Sequence, residues 1–342
     1  MTDLAPDGRK KGSRVWTDGC YDLLHYGHAS QLRFAKQFGK KLIVGVYNDE
    51  EIELNNGLTV FEEEDRYRMV SAIKWVDEVV EDAPYITSVA ILNQLDCDFC
   101  VPGDNTTQFD DGKDTYEEVR KSGRYREGKH TNDFVSRILQ STKTHFMKDN
   151  DIDELKAKIK ELSMDSGVRS PWTRVSRFIS STKQIQELAE GREPRPTDKV
   201  VYVCGAFDLF HVGHLEFLEE AKKLGDYLIV GVFGDEEVNK NKGGNYPIMN
   251  LRERVLGVLA YKPVDEVLIG APTVIHADLL NRFKIKIVAE GTVESEYLEK
   301  DDLYAESKRR GIYTTVDSES GMTTSCVIER IIECKNLLLR NV

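Results

Sequence analysis

The chain has 342 residues, of which 40% are hydrophobic and 31% are charged, a composition typical of soluble globular proteins. This length exceeds that of one ordinary domain core, so two domains are expected. The formal net charge of −12 argues against binding of a nucleic-acid backbone, because such binding normally needs a basic surface. No apolar stretch reaches the ~18 residues that span a bilayer, and the N-terminal stretch lacks the hydrophobic segment of a signal peptide. We therefore expect a cytoplasmic protein without an integral membrane segment.

The first elements predicted along the chain alternate between short apolar runs and amphipathic segments. An apolar strand at 14–16 is followed by a helix at 28–38, a second strand at 41–47 and a second helix at 63–75. Such alternation is typical of buried parallel strands that are linked by crossover helices. It predicts an α/β fold with a doubly wound, Rossmann-like parallel sheet.

Cys97 and Cys100 form a CxxC pair in the apolar run CDFCV. Zinc and redox sites of this spacing normally need a second pair or further ligands, and the sequence offers no second pair. We therefore expect a buried strand at this point and reduced thiols, as in cytosolic proteins.

Residues 147–198 differ in character from the segments before them. They begin as a charged helix and continue as a polar stretch that ends in GREPRPTD, whose Gly and Pro predict an exposed linker. The earlier order of elements then returns, with strands at 200–203 and 227–233 and helices at 214–224 and 251–260.

The second part of the chain repeats the first at a constant spacing. The offset is 186 residues from His25 to His211, and after a two-residue insertion it is 188 residues, as from Arg66 to Arg254. Two tandem doubly wound domains, joined by a partly helical linker, are therefore predicted. Their expected boundaries are 13–146 for the N-terminal domain, 147–198 for the linker and 199–342 for the C-terminal domain.

The most specific repeat lies between the first strand and the first helix of each copy. It reads DGCYDLLHYGH from Asp18 to His28 and CGAFDLFHVGH from Cys204 to His214. Doubly wound sheets bind ligands at this junction, and the N-terminus of a helix favours anions. The glycine allows close approach of the main chain to a ligand, and the two histidines can direct their ring nitrogens toward one point. We interpret the motif as a phosphate-binding site.

Two other interpretations of the paired histidines were weighed. Each histidine could cap a helix or fill a gap in the core, although its repetition in both copies argues against this. Zinc would need a third ligand, and Cys20 has no equivalent in the second copy.

With DRYRMV and WVDEVV further along, HYGH resembles the signature of the cytidylyltransferases in the HxGH nucleotidyltransferase superfamily. The resemblance covers nearly the whole chain except the central linker. The tandem copies, with YPIMNLRER and KRRGIY in the second, are more similar to the ethanolamine-phosphate branch of this family than to the choline branch, which has one such domain. The resemblance implies that CTP and phosphoethanolamine become CDP-ethanolamine and pyrophosphate, a step of phosphatidylethanolamine synthesis. It also implies Mg²⁺ bound with CTP, at most a peripheral association with the endoplasmic reticulum, and an internal pseudo-dimer of the two domains.

The resemblance further assigns roles to individual residues. His25 and His28 are the expected catalytic pair, which holds the CTP phosphates and stabilises charge on the α-phosphoryl group. Asp22 is expected to orient the loop, Arg66 to reach a phosphate, and Asp104 to lie near the cytidine or Mg²⁺. The full set expected to bind substrate and CTP is Asp18, Gly19, Cys20, Tyr21, Asp22, Gly27, Arg66, Trp75, Gly103, Asp104 and Thr131. Trp75 also suits a core position, and no residue is assigned as a protein ligand of a metal.

The two copies depart from the family pattern in different ways. The second copy retains His211, His214, Lys242, Thr323 and Thr324 as equivalents, but Asp317 stands where the family has an arginine. A carboxylate there repels a triphosphate. The first copy has Asn56 at the position equivalent to Lys242. Before Thr131 it also lacks the family's Arg-Thr-x-Gly-Ile stretch.

We expect catalysis in the first copy and a structural or regulatory role for the second. Three alternatives stay open: another phosphomonoester such as phosphocholine, ATP in place of CTP, and a nucleotide sensor without catalysis.

Overall fold

Two compact units make up the computed structural model, which describes residues 4–55, 57–103, 114–128, 145–147, 152–163, 173–179, 182–292 and 302–340. The first unit combines Met1–Asn132 with Ser325–Val342, and the second consists of Asp133–Thr324. Residues that end the second sequence repeat thus belong to the first unit.

The first unit contains a four-stranded parallel sheet. Its strands are β1 (Gly12–Gly19), β2 (Gly39–Val46), β3 (Glu78–Val80) and β4 (Phe99–Cys100), in the order β3-β2-β1-β4. Its helices are α1 (Tyr26–Lys36), α2 (Asp49–Asn55), α3 (Glu63–Ser71), α4 (Val89–Gln94), α5 (Glu117–Lys121) and, from Ser325 onward, α12 (Thr324–Arg340). Trp16, Ile43 and Leu92 are fully buried in one core cluster with Tyr116. The apolar runs form strands here because this packing buries them.

The second unit contains a seven-stranded sheet. Its strands are β5 (Arg174–Ile179), β6 (Gln184–Ala189), β7 (Val200–Gly205), β8 (Tyr227–Val232), β9 (Glu266–Ile269), β10 (Ile287–Gly291) and β11 (Tyr313–Val316), in the order β11-β10-β7-β8-β9-β5-β6. Its helices are α6 (Ile152–Ser163), α7 (Val212–Lys223), α8 (Asp235–Lys242), α9 (Leu251–Leu259), α10 (Ala277–Arg282) and α11 (Ala305–Arg309). All neighbouring strands are parallel except β5 and β6. The predicted α/β fold with two parallel sheets is confirmed.

The segment predicted as a linker contributes regular structure to the second unit. The expected charged helix is α6, and the polar stretch after it forms the antiparallel pair of β5 and β6. β5 pairs in parallel with β9, and the Ser176 hydroxyl donates a hydrogen bond of 2.8 Å to the buried carboxylate of Glu266. The polar composition of this stretch does not indicate a strand. Polar side chains are accommodated there because, like Ser176, they form hydrogen bonds within the sheet.

Candidate active site

The paired histidines of the first unit lie where β1 leads into α1. His25 is the N-cap of α1, and its Nδ1 accepts a hydrogen bond of 2.9 Å from the amide of Gly27. The Nδ1 of His28 accepts one of 3.3 Å from the amide of His25, and the two ring centroids lie 4.3 Å apart. Because both Nδ1 atoms act as acceptors, each neutral ring carries its proton on Nε2. Each ring therefore has an Nε2–H donor at the start of a helix, the type of group that binds a phosphate oxygen.

The loop before this pair has a constrained main chain. Tyr21 and Leu23 have φ angles of 53° and 45°, in the left-handed region that residues with a side chain seldom adopt. The Asp22 carboxylate accepts three amide hydrogen bonds, from Leu23 at 3.0 Å, Val60 at 2.8 Å and Phe61 at 3.0 Å. Burial raises the pKa of the Asp22 carboxyl, and the amide donors oppose this rise. Asp22 thus ties the loop to the segment after α2, which supports the orienting role predicted for it.

The fully buried guanidinium of Arg66 also contacts the loop that precedes the histidine pair. Arg66 donates hydrogen bonds to the main-chain carbonyls of Cys20 at 2.8 Å, Tyr47 at 2.7 Å and Phe61 at 3.3 Å, and it pairs with Asp49 at 2.8 Å. The sequence predicts a phosphate contact for Arg66, and this stays a prediction. The observed contacts support a role in joining three main-chain segments of the first unit.

The second unit repeats both arrangements at the predicted offsets. The Asp208 carboxylate accepts hydrogen bonds from the amides of Leu209, Ile248 and Met249. Arg254 donates to the carbonyls of Ala206, Phe233 and Met249 and pairs with Asp235 at 2.8 Å. The duplication predicted from the sequence is therefore present in the hydrogen bonds as well as in the order of the elements.

Asp18 is a fully buried carboxylate near the end of β1. It accepts hydrogen bonds from the hydroxyls of Thr87 at 2.5 Å and Tyr116 at 2.6 Å, and the charge of Asp18 also acts on the nearby Tyr47 hydroxyl. Burial raises the pKa of Asp18, so a positive charge that approached it would stabilise its ionised form. A Cβ at Gly103 would lie 2.1 Å from the Asp18 carbonyl oxygen, so this position requires glycine.

Sequence reasoning missed the aromatic and hydroxyl groups around Asp18. They are Thr87, Tyr116 and Tyr47, and the ring centroid of Tyr85 lies 5.0 Å from that of Tyr47. A comparison of the two copies position by position could have found most of them. The second copy has Cys204, Ile275 and Phe233 in place of Asp18, Thr87 and Tyr47, while the scaffold contacts above are unchanged.

Several other predicted residues take supporting positions. A Cβ at Gly19 would lie 3.2 Å from the ring of Tyr21, which itself meets the His28 ring edge-on at a centroid distance of 5.8 Å. Trp75 is 2% exposed and fills the core position that its other interpretation assigned to it. The predicted residues Asp104 and Thr131, together with Asn56, lie outside the described residues.

The second histidine pair combines a buried ring, His211, with a half-buried one, His214. The ring centroids of His211 and His214 are 3.9 Å apart. Burial lowers the pKa of His211 to about 3 and that of His214 well below its usual value, and the charge of Lys242 contributes to both shifts. A Cβ at Gly213 would lie 2.6 Å from the Met322 carbonyl oxygen, so the segment before α12 closely covers the first turn of α7.

The remaining predicted residues of the second copy lie along this covering segment. Thr324 donates a hydrogen bond of 3.1 Å to the Asp208 carbonyl, and Thr323 precedes it in a half-buried position. Asp317 accepts hydrogen bonds from the hydroxyl of Thr292 at 3.2 Å and the amide of Glu319 at 3.0 Å. A carboxylate therefore stands in the segment where the family resemblance implies a phosphate-binding arginine.

The lowered pKa values of the second histidine pair predict a pH dependence of stability. Since the folded-state pKa values of His211 and His214 lie below the ordinary 6.5, the unfolded chain binds more protons as the pH falls. Stability should then decrease from about pH 6.5 downward, by roughly 1.4 kcal/mol for each histidine between pH 7.5 and 5.5. Urea unfolding of the wild type and of the double variant His211→Asn, His214→Asn at both pH values measures this. An equal pH dependence in the two chains would contradict the assignment.

Metal, membrane and cysteine features can be stated for the described part of the chain. No group of three or more His, Cys, Asp or Glu side chains there is arranged to hold a metal ion. Among the residues that the structure describes, no helix is both long enough and apolar enough to cross a bilayer. The six cysteines are free thiols, and burial raises the pKa of Cys97 to about 11. The buried strand predicted at this CxxC pair is confirmed by Cys100 in β4.

Comparison with known proteins agrees with this fold. A family model described as cytidylyltransferase-like matches residues 16–187 and 202–330, so the chain belongs to the cytidylyltransferase-like family. Among individual relatives, the ethanolamine-phosphate cytidylyltransferase of Mus musculus is 47% identical over 96% of this chain and 88% of its own length. The ethanolamine-phosphate cytidylyltransferase of Dictyostelium discoideum is 44% identical over 95% of this chain and 92% of its own length. A probable choline-phosphate cytidylyltransferase of Schizosaccharomyces pombe is 36% identical over only 42% of this chain.

Proposed function

We propose that the chain transfers a cytidylyl group from CTP to phosphoethanolamine, and that this reaction takes place in the first unit. The relatives that match nearly the whole chain and bear the name ethanolamine-phosphate cytidylyltransferase support the reaction. The buried Asp18 carboxylate, replaced by Cys204 in the second copy, is the observation that supports both the substrate and the choice of unit.

The two ends of phosphoethanolamine match two features of one strand-to-helix junction. Its ammonium group suits the desolvated Asp18 carboxylate and the tyrosine rings beside it. The phosphates of both substrates suit the N-terminus of α1 and the Nε2–H donors of His25 and His28. Asp18 lies near the end of β1 and His25 caps the next helix, so both features belong to the same end of the sheet.

The reaction exchanges one phosphorus–oxygen bond for another. A phosphate oxygen of phosphoethanolamine attacks the α-phosphorus of CTP, and the bond from that phosphorus to the bridging oxygen breaks as pyrophosphate leaves. The attacking oxygen is already anionic at neutral pH, so the step needs no general base. His25 and His28 stabilise charge that builds on the α-phosphoryl oxygens and hold them in line.

Mg²⁺ is proposed to enter with CTP and to neutralise triphosphate charge. The described residues contain no cluster of ligands for a resident metal, and no step is assigned to one. A cytoplasmic location with peripheral association with the endoplasmic reticulum, and an internal pseudo-dimer, remain predictions.

Product analysis of the purified full chain tests the proposal. CTP, phosphoethanolamine and Mg²⁺ should give CDP-ethanolamine and pyrophosphate, with a much lower kcat/KM for phosphocholine and no turnover of ATP. Turnover of ATP alone would instead support an adenylyltransferase. Thermal stabilisation by CTP without any turnover would support a nucleotide sensor. Either of these results contradicts the proposal.

The Asp18→Asn variant tests the ammonium site. We expect the KM for phosphoethanolamine to rise roughly 10- to 100-fold, because loss of a charged partner in a buried site costs about 1.5–3 kcal/mol. The KM for CTP should change little. Since burial already disfavours the ionised carboxylate, the melting temperature should be unchanged or higher.

Cys204→Ser is the matched control at the equivalent position of the second copy, and it should leave both KM values unchanged. An unchanged KM for phosphoethanolamine in Asp18→Asn would remove Asp18 from the substrate site.

A further inference from the structure

The segment between α2 and α3 is bound on both sides of its main chain. The amides of Val60 and Phe61 donate to the Asp22 carboxylate, which lies three residues before His25. The carbonyl of Val60 accepts a hydrogen bond of 3.3 Å from Nη1 of Arg330, a residue of α12. A single residue, Val60, thus connects the C-terminal helix to the loop that carries the histidine pair.

Further contacts strengthen the attachment of α12 to this segment. The Cys334 thiol, one helical turn after Arg330, donates to the Thr59 carbonyl at 3.4 Å. The guanidinium of Arg330 also lies 3.7 Å from a carboxylate oxygen of Glu62 and 3.9 Å from one of Asp65. Arg330 therefore has three partners, one carbonyl and two carboxylates. The forked guanidinium group of arginine can interact with several acceptors at once, which a single surface ion pair does not use.

The second unit has a comparable contact at the equivalent position. Pro247 corresponds to Thr59 in the repeat, and its carbonyl lies 2.7 Å from Nε2 of His145. The side-chain amide of Asn250 donates to the His145 carbonyl at 3.2 Å, and the amide of Met147 donates to Asp235 at 2.8 Å. In each unit, therefore, a segment that in sequence ends the other copy binds this carbonyl, which argues that the contact is a feature of the fold.

We propose that Arg330 is a positioning residue for cytidylyl transfer, which holds the 57–62 segment and, through Asp22, the histidine loop. This rests on the proposed function. It makes the C-terminal helix a part of the first active site, although in sequence that helix ends the second copy. Since Tyr21 and Leu23 have left-handed main-chain angles, the loop depends on such external contacts to keep its conformation.

Variants of the full chain test this role by kinetics. Arg330→Ala should lower kcat at least 10-fold per folded molecule, with a smaller change in either KM, and Arg330→Lys should recover most of the loss because lysine can still donate to the Val60 carbonyl. Glu333→Ala on the exposed face of the same helix, and Arg309→Ala with the same change of charge, should retain wild-type kcat. Wild-type kcat in Arg330→Ala, or a loss that equals the unfolded fraction, overturns the proposal.

Amide hydrogen exchange gives a readout that does not depend on activity. Exchange of a peptide spanning 57–62 should be faster in Arg330→Ala than in the wild type and in Glu333→Ala, under conditions where the melting temperatures show all three folded. Unchanged exchange overturns the proposal even if kcat falls. An inactive wild type with faster exchange in the variant would instead refute the proposed function and leave the contact itself supported.

Discussion

His25→Asn and His28→Asn should each lower kcat by roughly 10²- to 10³-fold, the usual effect of removing one donor that stabilises transition-state charge. Asparagine is chosen because its side-chain oxygen can replace the Nδ1 acceptor that caps α1, while the Nε2–H donor is lost. The fold is thereby retained and only the proposed phosphate contact is removed. Initial rates of CDP-ethanolamine formation at saturating CTP measure the effect.

The second copy supplies the matched controls for these variants. His211→Asn and His214→Asn make the same chemical change at the equivalent positions, and kcat should stay within about threefold of the wild type. The copies differ chemically because the second has no carboxylate at the position of Asp18 and has Asp317 where the family resemblance implies an arginine. Equal losses from both pairs, in chains that remain folded, would contradict catalysis in the first unit alone.

Arg254→Met should destabilise the second unit by about 3–5 kcal/mol, the usual cost of breaking a buried ion pair. Its partner Asp235 is only 5% exposed and would be left uncompensated. Arg66→Met should cost less, because its partner Asp49 is 41% exposed and water can solvate the remaining charge. Urea unfolding followed by circular dichroism measures both losses.

Activity separates the two arginines further. Below its unfolding transition, Arg66→Met should still lower kcat, because Arg66 holds the carbonyls of Cys20 and Phe61 beside the histidine loop. Arg254→Met should not lower kcat per folded molecule. Arg309→Met, in which the replaced side chain is 69% exposed, is the surface control and should change stability little. A larger destabilisation from Arg66→Met than from Arg254→Met would contradict this ranking by burial.

The sequence predicts the sheets and the histidine junction well because both depend on local patterns. Continuous apolar runs become β1, β2, β7 and β8, and each repeated motif lies where a strand leads into a helix. His25 and His211 occupy the N-cap positions of these helices, the capping interpretation that their repetition had argued against. The offsets of 186 and 188 residues then relate each position of one copy to its equivalent in the other.

Features that depend on distant partners could not be predicted in this way. Asp18 meets Thr87 and Tyr116 across 69 and 98 residues of sequence. The guanidinium of Arg66 reaches main-chain carbonyls, which no residue pattern reveals. The attachment of α12 to the first unit was also missed, because an amphipathic helix shows that it has an apolar face but not which core covers that face.

The most direct test of the central claim is hydrogen exchange of the wild-type chain with and without saturating CTP and Mg²⁺. Catalysis in the first unit predicts strong protection of peptides that span 18–28 and 57–62, with little change in the peptide that spans 204–214. Protection confined to 204–214, with no change at 18–28, would contradict it.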